Sequence, residues 1–193
     1  MGFAPNPFGP YCTLACCKPR IRKYANVGEY VIGTGSAKRN MQGRLIFWMK
    51  ISEITDFDHY WIDPRFQHKK PYMRGSRRQR FGDNVYHRKP GSRVFTQEDS
   101  FHSLPGGKVS RNDRNRDTGL THRVLIAEEF TYWGANAPKI PGSLKDFVLP
   151  GVGWKVHFEE KRVRAFLNWM LKSPARGLQG EPVEWDYLPE KRA

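Results

Sequence analysis

Leu45, Phe47, Met49 and Ile51 alternate with Arg44, Trp48, Lys50 and Ser52, the period of two that turns one face of a strand toward a core and the other toward water. Trp48 falls on the polar-facing side of that strand. Residues 27–32, Val-Gly-Glu-Tyr-Val-Ile, are also strand-like and run into Gly33, Thr34, Gly35 and Ser36, small residues that permit a tight turn. With the polar turn at 38–43, the two strands predict a hairpin. Short strands are expected at 11–17, 84–87 and 93–97, and a central strand at 123–127, Arg-Val-Leu-Ile-Ala. Residues 130–134 read as its sheet neighbour or its continuation after a bend.

Thr55 with Asp58 three positions on has the form of a helix N-cap, and Phe57, Tyr60 and Trp61 would share one side of a short helix ended by Pro64. Val163, Phe166, Leu167, Met170 and Leu171 recur at helical spacing, which predicts an amphipathic helix over 159–172 capping the sheet. Three stretches lack either period. Residues 2–10, rich in Pro and Gly, predict a pinned, extended lead-in; 98–118 reads as a polar loop. Beyond Ser173 the chain is polar apart from Trp185, Tyr187 and Leu188, and reads as a tail. The expected fold is α+β, a mixed or barrel-like sheet with a C-terminal capping helix and long basic loops. Residues 1–172 would form a single domain and 173–193 a polar tail.

Charge changes this picture. Lys and Arg number 33 against 19 Asp and Glu in 193 residues, a net +14, with a sequence pI near 9.9. Such an excess favours a phosphate-bearing partner, because neutralising phosphates releases condensed counterions. Between Asp63 and Arg93 ten cations face two acids, so this stretch alone carries +8. A long aperiodic segment inside a compact domain points to function or disorder, and its interleaved aromatics suit a nucleic acid or nucleotide. Arg65, Lys69, Lys70, Arg77, Arg78 and Arg80 are the expected phosphate-binding residues.

Apolar runs such as 124–127 are far shorter than the roughly 20 residues that span a bilayer. The N-terminus carries no charged segment followed by an apolar one, so a cytoplasmic location without a membrane partner is expected. Cys12, Cys16 and Cys17 lie within six positions with no later Cys, which predicts reduced thiols, two or more of them buried, rather than a disulfide or zinc site. No GxGxxG, GxxxxGK[ST], GxSxG or HExxH motif occurs, so no cofactor and no metal is expected. The polar cluster that core packing does not explain is Asp83, Asn84, Tyr86, His87, His102 and Asp117.

The blocks Phe-Ala-Pro-Asn-Pro-Phe (3–8), Tyr-Cys-Thr-Leu-Ala (11–15), Cys-Lys-Pro (17–19), Ile-Gly-Thr-Gly-Ser (32–36), Tyr-Trp (60–61), Asp-Pro-Arg-Phe (63–66), Gly-Asp-Asn-Val-Tyr (82–86), His-Ser (102–103) and Val-Leu-Ile (124–126) resemble the nucleotide modification associated domain 2 family. The resemblance covers roughly residues 3 to 134. It implies a role on or alongside modified bases in phage and bacterial DNA systems, including bacterial defence. A looser likeness over about 35 residues is to the PUA-like EVE and ASCH domains, which hold a base beside a small-residue turn: Val27-Gly28-Glu29, the turn at 33–36, and Ile51 to Ile54.

Two function classes fit these residues. One is a binding module for a modified base or nucleotide, with Trp48, Tyr60 and Trp61 stacking on the base and Gly35, Ser36, Asn6, Asn84 and Tyr86 contacting it. The other is an enzyme that modifies or hydrolyses a nucleotide or DNA base, with Asp83, His87 or His102 as general acid or base. The expected partner is DNA or a nucleotide; a third reading is an accessory protein docked on a modification enzyme.

Overall fold

A computed structural model describes residues 3–151 and 153–187. Its elements in chain order are β1 (Cys12–Leu14), α1 (Pro19–Tyr24), β2 (Tyr30–Thr34), β3 (Leu45–Lys50), β4 (Glu53–Asp56), α2 (Phe57–Ile62), α3 (Arg77–Arg80), β5 (Tyr86–Arg88), β6 (Phe95–Gln97), α4 (Arg111–Thr118), β7 (Arg123–Ala127), β8 (Glu129–Tyr132), α5 (Glu160–Leu171) and β9 (Gly177–Leu178), with short 3₁₀ turns between them. They gather into two compact units, Met1–Tyr30 with Lys50–Glu129, and Val31–Met49 with Phe130–Ala193.

In the first unit β7 is central, flanked antiparallel by β1 and β4. Val124 to Ala127 are fully buried, an unbroken apolar run that fits a strand covered on both faces. The opening segment is pinned to β1 by paired backbone bonds between Asn6 and Thr13 at 2.8 and 3.0 Å, and Phe3 and Phe8 are buried. Helix α2 forms as its sequence predicts, but the cap is Asp56, whose Oδ1 accepts from the Asp58 and His59 N–H groups at 2.9 and 3.0 Å. Thr55 instead pairs with Val124 in the sheet. A separate antiparallel pair, β5 with β6, sets Tyr86 opposite Gln97.

Three helices stand where none was expected. Pro19 opens α1 directly after β1, the position where a missing N–H costs nothing. The supposed loop at 98–118 ends in α4, whose cap is Ser110. Its sequence, RNDRNRDT, has no apolar residue to show a helical period, and the capping signal Ser110 with Asp113 is its only local mark. The basic segment at 63–93 is likewise ordered, holding the 3₁₀ turn Pro64–Lys69, α3 and β5.

The second unit holds the order β2-β3-β8-β9. Backbone bonds Gly35 N–H to Arg44 O and Trp133 N–H to Ile46 O, at 2.9 and 2.8 Å, extend its ladders. β8 is therefore not a neighbour of β7; it continues β7 past Glu128 into a different sheet. β9 joins β8 in parallel, with Thr131 opposite Gly177, so part of the expected tail is strand, and Trp185 is buried. Leu188 and the residues after it lie outside the described residues. α5 covers the expected helix closely and packs Phe166 on Phe147, ring centroids 4.3 Å apart.

Two further expectations are corrected. Among the described residues the sheets are mixed with helices but none closes into a barrel. Trp48 is buried, 1% exposed, next to an equally buried Met49. β3 is covered on both faces, so strict alternation does not describe it, and the Arg176 guanidinium lies 5.4 Å from the Trp48 ring.

Candidate functional site

The polar residues singled out in the sequence separate into three groups within the first unit. The deepest surrounds Asp83. Its carboxylate accepts from Thr13 Oγ1 and Tyr60 OH, both at 2.8 Å. Lys69 Nζ donates to Asn6 O, Asn6 Oδ1 and Phe8 O at 3.1, 2.9 and 2.8 Å, and Asn6 Nδ2 donates to Phe81 O. Asn84 Nδ2 donates to the carbonyls of Tyr60 and Phe66, while its Oδ1 is buried with no partner among the described residues. All of these side chains are essentially inaccessible. Desolvation pushes the Asp83 carboxyl up to about 6, against the pull of Lys69, and pushes the Lys69 ammonium down to about 8. This network ties the lead-in, α2 and the 82–86 segment together.

The second group is half-exposed. The His87 ring stacks on Trp61, centroids 4.0 Å apart and planes 11° from parallel, and its Nε2 is 2.7 Å from Glu98 Oε1. Lys70 Nζ lies 3.6 Å from the Trp61 ring centroid.

The third group centres on Asp117, fully buried at the C-terminal end of α4. Its Oδ1 accepts from the Cys17 N–H and Arg116 Nε, both at 2.9 Å. Its Oδ2 accepts from Tyr86 OH at 3.0 Å and faces His102 Nδ1 at 3.0 Å. The opposite ring nitrogen, Nε2, is 3.5 Å from Cys17 Sγ. A carboxylate has no proton to give, so His102 donates through Nδ1 and Nε2 is the nitrogen that deals with the thiol. Phe3 closes one side of the imidazole edge-on, centroids 4.5 Å apart. Arg116 Nη2 lies 3.2 Å from both ring nitrogens.

The electrostatics follow from these contacts. Burial alone would lower the His102 imidazole, but its bonds to Asp117 and Cys17 outweigh that and hold it up at about 9. Asp117 has the converse balance: burial raises it, and the His102 and Arg116 bonds bring it down to about 2. Imidazolium and carboxylate are therefore both charged at neutral pH. Arg22, buried under α1, donates to the Cys17, Arg123 and Asp117 carbonyls and so locks β1, α1, α4 and β7 around the cluster.

Cys16 Sγ, a His102 nitrogen and an Asp117 oxygen converge within 4.8 Å, a donor set of the kind that holds a metal ion. The Cys16 thiol donates to the Asp83 carbonyl at 3.3 Å and is pushed well up by burial, while Arg116 already takes both Asp117 oxygens. The arrangement suits proton transfer and a thiol more than a cation.

Of the residues predicted for chemistry, His102 and Tyr86 meet here, Asp83 lies in the buried network and His87 in the Trp61 stack. Of those predicted for phosphate, Arg65 forks onto Glu53 at 2.8 and 2.9 Å and onto Asp63, and Lys69 is enclosed. Lys70 covers Trp61, and Arg77, Arg78 and Arg80 form α3. Gly35, Ser36 and Trp48 belong to the second unit. Sequence reasoning missed Cys17, Arg116 and the weight of Asp117. No local spacing links residues 17, 102 and 117; the only sequence signals were the Cys-Lys-Pro block and the unexplained acid at 117.

The chain combines a mixed α/β fold, a strongly basic composition, and a thiol, imidazole and carboxylate cluster beside the buried Arg22. The model of the family described as nucleotide modification associated domain 2 matches residues 1–189, so the chain belongs to that family and is associated with nucleotide modification. No curated protein and no solved structure matches it. Among the described residues no helix is long and apolar enough to cross a membrane.

Proposed function

We propose that this protein is an enzyme of a nucleotide-modification system, acting on a base carried by a nucleic acid strand at the His102–Asp117 site. The observation that carries this reading is the 3.0 Å contact between His102 Nδ1 and a fully buried Asp117 carboxylate, with the other imidazole nitrogen turned to a half-exposed sulfur. A structural histidine needs no such relay; a proton carrier does.

The charge around the site supports a polyanion. Lys18 and Arg20 are exposed at the start of α1, and Arg111 on α4; α1 and α4 pack together, and Cys17 joins them through its bond to Asp117. By contrast, Arg65 and Arg88 of the 63–93 segment are engaged by Glu53, Asp63 and Asp58. The phosphates of the strand lie across α1 and α4, so that one base reaches His102. A reader that only retains the base is the competing function, and turnover separates the two. The test is to incubate the protein with single- and double-stranded oligonucleotides and with mononucleotides, then digest to nucleosides and weigh them. A base whose mass changes, or whose ring hydrogen exchanges in D2O, with wild type and not with His102→Asn supports the proposal; retention with neither makes the protein a reader.

A further inference from the structure

Three thiols sit within six residues, in unlike surroundings. Cys12 and Cys16 are fully buried; desolvation raises Cys12 to about 12 and Cys16 well above an ordinary thiol. Cys17 is half-exposed and alone has an imidazole at its sulfur, 3.5 Å away. Through that ring it is joined, by the opposite nitrogen, to a buried carboxylate. Thiol, imidazole and carboxylate in that order form the relay by which a nucleophile passes its proton to a base that a third group orients.

The backbone holds Cys17 in place for this. Its N–H is bound by Asp117 Oδ1 at 2.9 Å and its carbonyl by Arg22 Nε at 2.9 Å. Both Cys17 and Lys18 are left-handed, with φ of 57° and 46°, a conformation that non-glycine residues adopt only where surroundings compel it. The two bonds and the start of α1 at Pro19 supply that compulsion.

We infer that Cys17 is the nucleophile of this site, adding through sulfur to C6 of a pyrimidine base, with His102 carrying the proton and Asp117 orienting His102. The choice of electrophile rests on the proposed action on a nucleobase; the activated thiol does not. A soft sulfur nucleophile with one proton carrier matches conjugate addition. The proton shared by Cys17 and His102 stays on His102 as sulfur bonds to C6. The C5=C6 π pair moves to C5 and toward the exocyclic atom on C4, where the Arg116 guanidinium offers positive charge, and His102 returns the proton to C5. Thiol and base are consumed together, nothing is oxidised or reduced, and loss of a proton from C5 with departure of sulfur restores the base.

Iodoacetamide labelling of the full chain, followed peptide by peptide, tests the thiol. Cys17 is expected to alkylate at least tenfold faster than N-acetylcysteine amide at the same pH, Cys12 and Cys16 far more slowly, and His102→Asn or Asp117→Asn to remove the tenfold advantage. Melting curves check that the variants fold, and the wild-type comparison stands if they do not. A Cys17 that reacts like the free thiol overturns the inference. The base is tested in D2O with an oligonucleotide containing uracil and cytosine: deuterium should enter C5 with wild type and not with Cys17→Ser. Fast alkylation without exchange removes the pyrimidine as electrophile, whereas fast alkylation that oligonucleotide does not slow leaves the thiol standing and removes nucleic acid as substrate.

Discussion

Asp83 and Asp117 are both fully buried acids, yet their surroundings push them in opposite directions. Asp83 meets hydroxyl donors and burial prevails, raising it to about 6. A group raised on folding stabilises below its unfolded value and loses that contribution as pH climbs through the folded one, so Asp83 costs stability between about pH 4 and 6. Thermal melting across that range should show a decline that Asp83→Asn abolishes. His102, raised to about 9, adds a second decline from about pH 6.5 to 9, absent in His102→Asn. Lys69→Met removes the ammonium donor shared by Asn6 O, Asn6 Oδ1 and Phe8 O, leaving Asn6 only the Thr13 and Phe8 N–H groups, and should cost about 2 kcal/mol in denaturant unfolding. At this scale the sequence was half legible. It marked Asp83, His102 and Asp117 as polar residues that core packing does not explain, but Cys17 lies 85 positions from His102, and only the completed fold brings them together.

Elements were legible where their faces are apolar. α2, α5 and β7 match their patterns because burial selects residues at fixed periods. α1 and α4 did not announce themselves: one is six residues behind a proline, the other wholly polar and held by its cap and by Arg22 beneath it. These two missed helices are the ones that carry the candidate site, since a helix presenting charge to a ligand has no apolar stripe to spare. Ser110 caps α4 by accepting from the Asp113 N–H. Ser110→Ala should cost about 1 kcal/mol, and through Asp117 it should also slow Cys17 alkylation. Asp56→Ala, which uncaps α2 by a similar amount, should leave that rate unchanged.

For the whole molecule, the excess of 33 basic over 19 acidic residues was plain from composition; its distribution was not. The sequence drew attention to residues 63–93, where cations are densest along the chain, but density along a chain says nothing of how many are spent on internal acids. Arg65 and Arg88 are spent so, while Lys18 and Arg20 stand exposed beside the thiol. Oligonucleotide affinity should fall steeply with salt, and Lys18→Glu with Arg20→Glu should weaken it and flatten the salt slope more than Arg88→Glu does. Fluorescence anisotropy at several salt concentrations measures both. Of the two sheets expected, mixed or barrel-like, the barrel-like one came from a local likeness, and strand order cannot be read from strand sequence, which is why β8 could leave β7 for another sheet unannounced.

The central claim is that a nucleic acid strand brings its base to His102. NMR of the histidine ring carbons, with the His102 and His87 signals assigned by substitution, reads this directly during titration with an oligonucleotide. His102 should titrate near pH 9 in the free protein and shift when the strand is added, while His87, covered by Trp61, stays in place. If His102 is indifferent to saturating oligonucleotide and other signals move, the strand binds elsewhere and the account of this site is wrong.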